Sequence, residues 1–252
     1  RQLNVFSLRI GRSGYQWRTI PDETRDRLVE ECVESVVLEY NHSVMQDSMR
    51  AQYLTEKIMR MTKRTIWALQ QQLKKGDFEP VGYEVRFTTE LENHHMHLFY
   101  GDRGVMTLNG KIDRMDLCEE DEKVFLKIID YKSGSTKFDL TSVFHGLQLQ
   151  LMVYMNAACE EQRRKDQMHC HSAGILYYHI DDPLVASRNF QDFVGEQNDE
   201  TAILEQLAVD GLVVDDTEII QHMDQHPEMR RSIAGDIKKR RLFIGIVECC
   251  IA

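Results

Sequence analysis

The stretch K-V-F-L-K-I-I-D-Y-K-S-G, residues 123–134, joins an apolar strand pattern to a charged end, and it decides the fold. Side chains alternate between the two faces of a strand, so three apolar residues share a face with Asp130 and Lys132. Ionised groups beside a core are costly unless they pair with each other or bind a metal ion. The stretch therefore predicts a buried strand with a functional site at its end.

A second acid lies in the preceding strand pattern, at residues 105–118. Asp113 stands there among apolar residues, seventeen positions before Asp130. Two carboxylates and a lysine on neighbouring strands suit a magnesium site that cleaves phosphodiesters, because Mg²⁺ prefers hard oxygen ligands. We predict that both acids bind the metal and that Lys132 orients the attacking water or stabilises developing negative charge. The alternative for Lys132 is a structural salt bridge to one of these acids.

Four more side chains are candidates for the same site. Glu84 lies within the strand pattern G-Y-E-V-R-F and is a candidate third acid, binding the metal directly or through water. Gln150 and Tyr154 are four residues apart in a helical pattern and therefore share a face, from which they would bond to the metal-bearing backbone or a DNA phosphate. Each feature alone is ordinary for a strand or an amphipathic helix. Lys137, in the loop after the charged strand end, is a candidate phosphate contact.

Other polar residues are predicted to be structural. Asp116 is expected to face away from Asp113 as a surface acid, and Asp139 is expected to cap a helix. His95 and His97 would share a strand face, but no further ligands with zinc spacing accompany them. We predict a solvated hairpin at this point.

The composition limits the function classes. The chain has 252 residues, of which 42% are hydrophobic and 29% charged, which fits one large domain or a domain with an appendage. No apolar run approaches the roughly 18 residues of a membrane span, and no signal peptide is recognisable, so we expect a cytoplasmic protein without a membrane partner. The six cysteines show no C-x-x-C spacing and are predicted to be reduced. The net charge of -10 argues against a general nucleic-acid binder but not against a nuclease.

Helical patterns precede strand patterns along the chain, and this order predicts an α/β fold with a mixed β-sheet flanked by helices. We expect a helical extension packed on the core, the core itself, and C-terminal α/β elements that brace it, and the opening residues suggest a fragment of a longer protein. These three parts are residues 1–76, 77–180 and 181–252. Helices are predicted at 22–40, 46–75, 140–163, 199–210 and 216–241, and strands at 82–91, 94–100, 105–118, 123–131, 173–180 and 211–214.

Three segments in combination resemble a known family. G-K-I-D-R-M-D-L (110–117), I-I-D-Y-K-S-G (128–134) and G-L-Q-L-Q-L-M-V-Y (146–154) are similar to the RecB-like branch of the PD-(D/E)XK nuclease superfamily. More closely, they resemble the nuclease domain at the C-terminus of AddB/RexB-type subunits of bacterial helicase–nucleases. The segment G-D-F-E-P-V-G-Y-E-V-R-F (76–87) and the helices before it extend the resemblance to roughly residues 10–180.

The resemblance implies a restriction-endonuclease-like core that uses Mg²⁺, with Mn²⁺ as a substitute. The family also has a histidine upstream of these motifs and a four-cysteine iron–sulfur staple. Neither pattern is matched here, so we expect no iron–sulfur cluster within this chain. The implied roles are metal ligation by Asp113, Asp130 and the carbonyl of Tyr131, support by Glu84, catalysis by Lys132, and a Gln-x-x-x-Tyr motif at Gln150 and Tyr154.

Three functions remain open on this evidence. The first is a DNA exonuclease module of a helicase–nuclease for double-strand break repair and recombination, acting with a partner subunit on DNA, for which we favour a single strand. The second is a stand-alone or CRISPR/phage-type exonuclease, and the third is a non-catalytic DNA-binding scaffold on the same fold. The motor motif G-x-x-x-x-G-K-[ST] is absent from the sequence, so any ATP dependence would come from elsewhere in a complex.

Overall fold

The computed structural model describes most of the chain as two compact units. The first unit holds the N-terminal helices and the second holds most of the sheet. The described residues are 2–41, 49–91, 106–134, 137–166, 169–182, 203–204 and 206–225. The first unit comprises Arg1–Gly76, Tyr131–Thr136 and Tyr178–Val209, and the second comprises Asp77–Asp130, Lys137–Tyr177 and Asp210–Ala252. The division into parts at residues 76 and 180 stays a prediction.

Three helices open the chain, α1 (Gln2–Ser13), α2 (Asp22–Asn41) and α3 (Met49–Leu73). Helices α2 and α3 confirm the two predicted helical segments, except that residues 46–48 lie outside the described residues. Each helix buries one side. The side chains of Phe6 and Trp17 meet edge to face, with ring centroids 5.3 Å apart. No helix in the described part of the chain is long and apolar enough to cross a membrane.

Five strands form one sheet in the order β1 to β5. The pairs β1–β2, β2–β3 and β4–β5 are antiparallel. The sheet and its helices confirm the predicted α/β class, while the predicted strand at 94–100 and the histidines at 95 and 97 lie outside the described residues. The strands are β1 (Glu79–Leu91), β2 (Met106–Glu120), β3 (Lys123–Lys132), β4 (His169–His179) and β5 (Asp210–Val213).

The predicted helix at 140–163 is wrong in one respect, because two helices occupy this region. They are α4 (Leu140–Phe144) and α5 (Gln150–Asp166). Asp139 caps α4 as predicted, its carboxylate accepting hydrogen bonds from two backbone N–H groups at 3.1 Å. Gly146 has a φ of 75°, a left-handed conformation that ends the helical path and that glycine adopts without strain.

The C-terminal region that is described contains one more helix, α6 (Thr217–Met223). It begins within the predicted helix at 216–241, of which the part beyond residue 225 lies outside the described residues. Strand β5 agrees with the predicted short strand at 211–214 within one residue. Residues 203–204 and 206 are helical, within the predicted helix at 199–210, whose residues 199–202 and 205 are not described.

Strand β3 is buried on both faces. Leu126 and Ile128 pack in one cluster with Leu151 of α5, whereas Phe125 packs in a second cluster with Phe78. A strand covered on both faces reads as a continuous apolar run, which explains the segment V-F-L-K-I-I. Each such side chain contributes roughly 1.5–3 kcal/mol by leaving water, so β3 anchors the sheet.

The four cysteines in the described residues, Cys32, Cys118, Cys159 and Cys170, are free and buried. Burial raises the pKa of the Cys32 thiol to about 11, so this side chain stays protonated. These cysteines therefore serve as apolar core residues. Cys249 and Cys250 lie outside the described residues.

Candidate active site

The two predicted metal-binding acids fall at neighbouring positions of β2 and β3. The register of this pair runs from Glu120–Lys123 to Arg114–Ile129. The next residues along the two strands are Asp113 and Asp130. Directly opposite residues of an antiparallel pair have Cβ atoms about 4.5–5.5 Å apart, so the two carboxylates would be neighbours if the pairing continued by one residue. Their neighbouring position stays a prediction.

Glu84 extends this row of acids to a third strand. The β1–β2 register passes from Tyr83–Arg114 to Val85–Ile112, and Glu84 and Asp113 are the residues between. The φ of Glu84 is 48°, which distorts β1 at this position. Its carboxylate lies 3.1 Å from the ammonium group of Lys111, and both side chains are more than two-fifths exposed. A metal-binding role for Glu84 stays a prediction.

Asp130 is the most enclosed acid of the row, at 4% exposure. The side-chain amide of Gln150 donates to Asp130 Oδ1 at 3.4 Å and to the hydroxyl of Tyr154 at 2.9 Å. The predicted shared face of Gln150 and Tyr154 is therefore confirmed. Because Gln150 is the first residue of α5, the start of this helix holds the amide against the acid.

Gly110 makes room for this arrangement, and sequence reasoning missed its importance. A Cβ atom at residue 110 would overlap the ring of Phe87 and lie 2.9 Å from a ring carbon of Tyr154. Those two rings pack edge to face, with centroids 5.4 Å apart. The glycine that opens the motif G-K-I-D thus lets Tyr154 approach the sheet near Asp113. A glycine three residues before a predicted ligand was the available clue.

Lys132 and Tyr131 complete the charged end of β3. Lys132 is the last residue of the strand, two positions beyond Asp130, and is half-buried. Its carbonyl accepts a hydrogen bond from the backbone of Ile180 at 2.9 Å. The ring of Tyr131 packs edge to face on Tyr178, with centroids 6.0 Å apart. These contacts hold the backbone, and the catalytic and ligand roles stay predictions.

Lys137 lies in a loop that is fastened through Gln148. The amide of Gln148 donates to the carbonyl of Lys137 at 3.1 Å and accepts from the backbone N–H of Asp139 at 3.0 Å. The Lys137 side chain is exposed and accessible to a phosphate, which remains its predicted partner.

Asp116 is not a surface acid, so that prediction is wrong. Its side chain is 0% exposed and lies 2.6 Å from Arg114 Nε and 3.3 Å from Lys127 Nζ. Burial, the largest influence, raises the pKa of Asp116, but Arg114 and Lys127 together hold it below its usual range. The ammonium group of Lys127 also lies 4.5 Å from the ring centroid of Phe78. An arginine and an aspartate two apart on an apolar strand were the available clue.

The predicted donor set consists of oxygen atoms, the ligands that magnesium prefers. Among the described residues, no group of three or more histidine, cysteine, aspartate and glutamate side chains is arranged to hold a metal ion. Magnesium commonly takes only one or two protein carboxylates and keeps several waters. Asp113 and Asp130 would supply those carboxylates, and this role stays a prediction.

Comparisons with known proteins find a matching family and several named relatives. A family model for the PD-(D/E)XK nuclease superfamily matches residues 10–238. The chain is 38% identical over 224 residues to a subunit of the ATP-dependent helicase/deoxyribonuclease of Alkaliphilus metalliredigens, covering 88% of this chain and 19% of that protein. The proteins of the same name in Lachnoclostridium phytofermentans and Clostridioides difficile are 38% and 33% identical, covering 84% and 97% of this chain and 17% and 20% of theirs. The chain thus spans about a fifth of the length of these relatives.

Proposed function

Because this chain belongs to the PD-(D/E)XK nuclease superfamily, we propose that it is the DNA-cleaving module of a helicase–nuclease. The observation that carries the proposal is the register of β2 and β3, whose last pair is followed on the two strands by Asp113 and Asp130, together with the contact of Gln150 at the start of α5 with Asp130. The names of the relatives, each a deoxyribonuclease subunit, support DNA as the substrate. Their name, which describes a subunit of a helicase/deoxyribonuclease, supports a partner subunit and a motor outside this chain. Exonuclease action on a single strand, a role in break repair and a cytoplasmic location belong to the same proposal.

A divalent metal ion fits the row of acids. Nucleases of this superfamily generally use such ions. Like charges directly opposite each other on a sheet repel, and a cation shared between Asp113 and Asp130 would relieve that repulsion. Those two carboxylates and the carbonyl of Tyr131 would hold the ion, with Glu84 in support. When bound, it would supply charge neutralisation at the phosphate and a water of lowered pKa. We propose Mg²⁺, with Mn²⁺ as a substitute.

The surrounding side chains would orient the reacting groups. The Gln150 amide would help to orient the Asp130 carboxylate, because it donates to Oδ1 at 3.4 Å and also to the hydroxyl of Tyr154. The ammonium group of Lys132 would hold the attacking water or stabilise the negative charge that develops on the phosphate. Tyr154 and Lys137 would contact neighbouring phosphates of the strand and set its register.

Cleavage of end-labelled linear and circular single-stranded DNA with Mg²⁺ or Mn²⁺ tests the proposal. Loss of even a hydrogen-bond partner of a metal ligand typically costs about 10–100-fold, so we expect Asp130→Asn to lose about 100-fold or more. Lys132→Ala should lose activity without losing metal binding, measured by the metal-dependent rise in Tm. Glu122→Gln, at an exposed turn residue, is the control that removes a carboxylate outside the site.

Three outcomes decide between the functions. Equal rates for wild type, Asp130→Asn and Lys132→Ala would refute the catalytic assignment. Binding of DNA by the wild type without cleavage under any metal condition would favour the scaffold function. Cleavage of the circular strand would contradict exonuclease action and leave the nuclease assignment in place.

A further inference from the structure

Helix α3 carries a positive surface in an acidic chain. The chain has 41 aspartates and glutamates against 31 lysines and arginines, yet residues 57–76 contain no acid and six basic residues. Such a segment is unusual at this composition, because acids otherwise occur about every six residues. The local charge of α3 therefore differs in sign from the net charge of the chain.

Four of the five basic residues of α3 lie on one face. Arg50, Tyr53, Lys57, Arg60 and Arg64 follow one another at spacings of three, four, three and four residues, which places them in a row along a helix. We call this row the α3 stripe. Its side chains are exposed, except that Arg64 is half-buried. At 1.5 Å per residue the stripe is about 21 Å long, enough for several nucleotides of an extended strand.

The opposite face of α3 is buried, so the stripe is held in a fixed orientation. Ile66 and Leu69 are fully or almost fully buried, and Thr65 is also enclosed. The hydroxyl of Thr62 donates to the carbonyl of Ile58 at 2.7 Å within the helix. The stripe is thus the outward side of a packed helix in the first unit.

Two acids lie near the stripe, and they leave it positive. Asp182 pairs with Arg60 at 2.6 Å and with Arg64 at 2.8 Å. The hydrogen bond from Arg60 is the main reason that the pKa of Asp182 lies below its usual range. Glu56 flanks the stripe and is exposed. Four cations against two carboxylates leave a net positive surface, and each guanidinium has five N–H donors, more than one carboxylate uses.

Aromatic side chains stand among these cations. Tyr53 is 59% exposed and lies between Arg50 and Lys57 along the stripe. Trp67, three residues after Arg64, lines a cavity of about 230 Å³ together with Arg25, Lys63, Arg64 and Asp26, whose carboxylate pairs with Arg25 at 2.8 Å. Cations that track a backbone and aromatic faces on which bases stack are the two components of a single-strand binding surface.

We propose that the α3 stripe binds a single DNA strand, with Arg50, Lys57, Arg60 and Arg64 on phosphates and Tyr53 stacked on a base. This inference rests on the proposed function, because it takes DNA as the ligand. It adds a contact surface on the first unit to the chemistry on the sheet. In this arrangement the exposed Tyr53 would stack on any of the four bases, because base stacking tolerates differences in sequence.

The test measures fluorescence anisotropy of a labelled single-stranded oligonucleotide with the full 252-residue chain in chelator, over a salt series. The double variant Arg50→Gln/Lys57→Gln removes two phosphate contacts, so the slope of log K against log salt should fall by about 1.4. Tyr53→Ala should weaken binding on the order of ten-fold with the slope unchanged. The matched control, Arg164→Gln/Lys165→Gln, removes the same charge from an exposed part of α5 and should leave the slope unchanged.

Unchanged affinity and slope in the stripe variant would overturn the inference, as would an equal loss in the control. Tighter binding of RNA of the same sequence would overturn DNA as the ligand. The binding assay is done in chelator, where a metal-dependent nuclease does not cut. The nuclease proposal and the inference about the α3 stripe can therefore be refuted independently. A chain that binds through the stripe but never cuts DNA refutes only the nuclease. A chain that cuts DNA while the stripe variant binds normally refutes only the inference.

Discussion

Two aspartates three residues apart on β2, Asp113 and Asp116, are treated in opposite ways by the same sheet. Asp116 is fully enclosed and lies against two cations of the chain, Arg114 and Lys127. Asp113 is half-buried, and Asp113 and another acid, Asp130, directly follow the last pair of the β2–β3 register. The first arrangement compensates its charge inside the fold. The second is the predicted metal site, in which the acids of neighbouring strands would share a cation.

The difference shows that one strand can carry a structural acid and a predicted metal-binding acid only three residues apart. A buried ion pair contributes little net stability, but removal of one partner leaves an uncompensated charge and is costly. Opposed like charges cost stability even when intact, and their removal is tolerated. The sign of the stability change on substitution should therefore separate a structural acid from a metal-binding one.

The largest effect is expected for Asp116→Ala. This variant leaves the guanidinium of Arg114, which is 1% exposed, without its carboxylate, and the free energy of unfolding should fall by about 3–5 kcal/mol. Urea denaturation followed by circular dichroism measures the change. Adding Arg114→Met should recover part of the loss, because the second charge is then also removed. A loss below about 1 kcal/mol would show that the ion cluster is not structural.

A smaller effect of opposite sign is expected for Asp113→Asn. In chelator its free energy of unfolding should equal that of the wild type or exceed it by up to about 1 kcal/mol, because one of two opposed charges is gone. Magnesium at about 100 times its Kd should stabilise the wild type by about 2.7 kcal/mol and the variant much less. Thermal denaturation with and without Mg²⁺ measures both. Destabilisation as large as that of Asp116→Ala would erase the contrast between the two acids.

A third group of charged residues lies around His222. Its protonated ring compensates two carboxylates and can lose its proton as the pH rises. Nδ1 of His222 lies 2.9 Å from Asp77, and Nε2 contacts Glu120. Both contacts are hydrogen bonds only when both ring nitrogens carry protons. Burial, the largest single influence, lowers the pKa of His222, but hydrogen bonds to Asp77 and Glu120 raise it overall above the usual value.

The smallest effect is expected from this histidine. Its folded pKa is raised, so its contribution to stability is complete below the unfolded pKa of about 6.5 and is lost as pH rises through the folded value. The free energy of unfolding should fall by roughly 1 kcal/mol between pH 6 and pH 9. His222→Asn should flatten this profile, while Asp116 stays compensated by cations that do not titrate in this range. An identical slope in the variant would contradict the assignment.

The sequence was sufficient for the strands and for the local part of the site. The apolar run of β3 predicted its burial, and the four-residue spacing predicted that Gln150 and Tyr154 share a helix face. Such features depend on neighbours close in sequence. The break between α4 and α5 was missed because the apolar periodicity continues through Gly146, where the backbone is left-handed at an exposed position.

Features that depend on register or on distant residues could not be predicted. The burial of Asp116 depends on Lys127, its partner in the β2–β3 register, which was unknown before the strands were aligned. His222 meets acids 145 and 102 positions earlier in the chain, and no local pattern joins them. The metal and DNA roles of the site residues stay predictions, because they concern ligands rather than contacts within the chain.

The absent side chain at Gly110 makes three positions interdependent. A methyl group there would occupy space that the rings of Phe87 and Tyr154 already fill. Residue 110 can therefore become larger only if residue 87 or 154 becomes smaller at the same time. A larger side chain at residue 110 alone would push the ring of Tyr154, and with it α5, away from β2. That movement would also loosen the contact of Gln150 with Asp130, although neither of those residues had changed. A defect in catalysis could thus arise from a substitution that touches no reacting group and adds only one carbon atom.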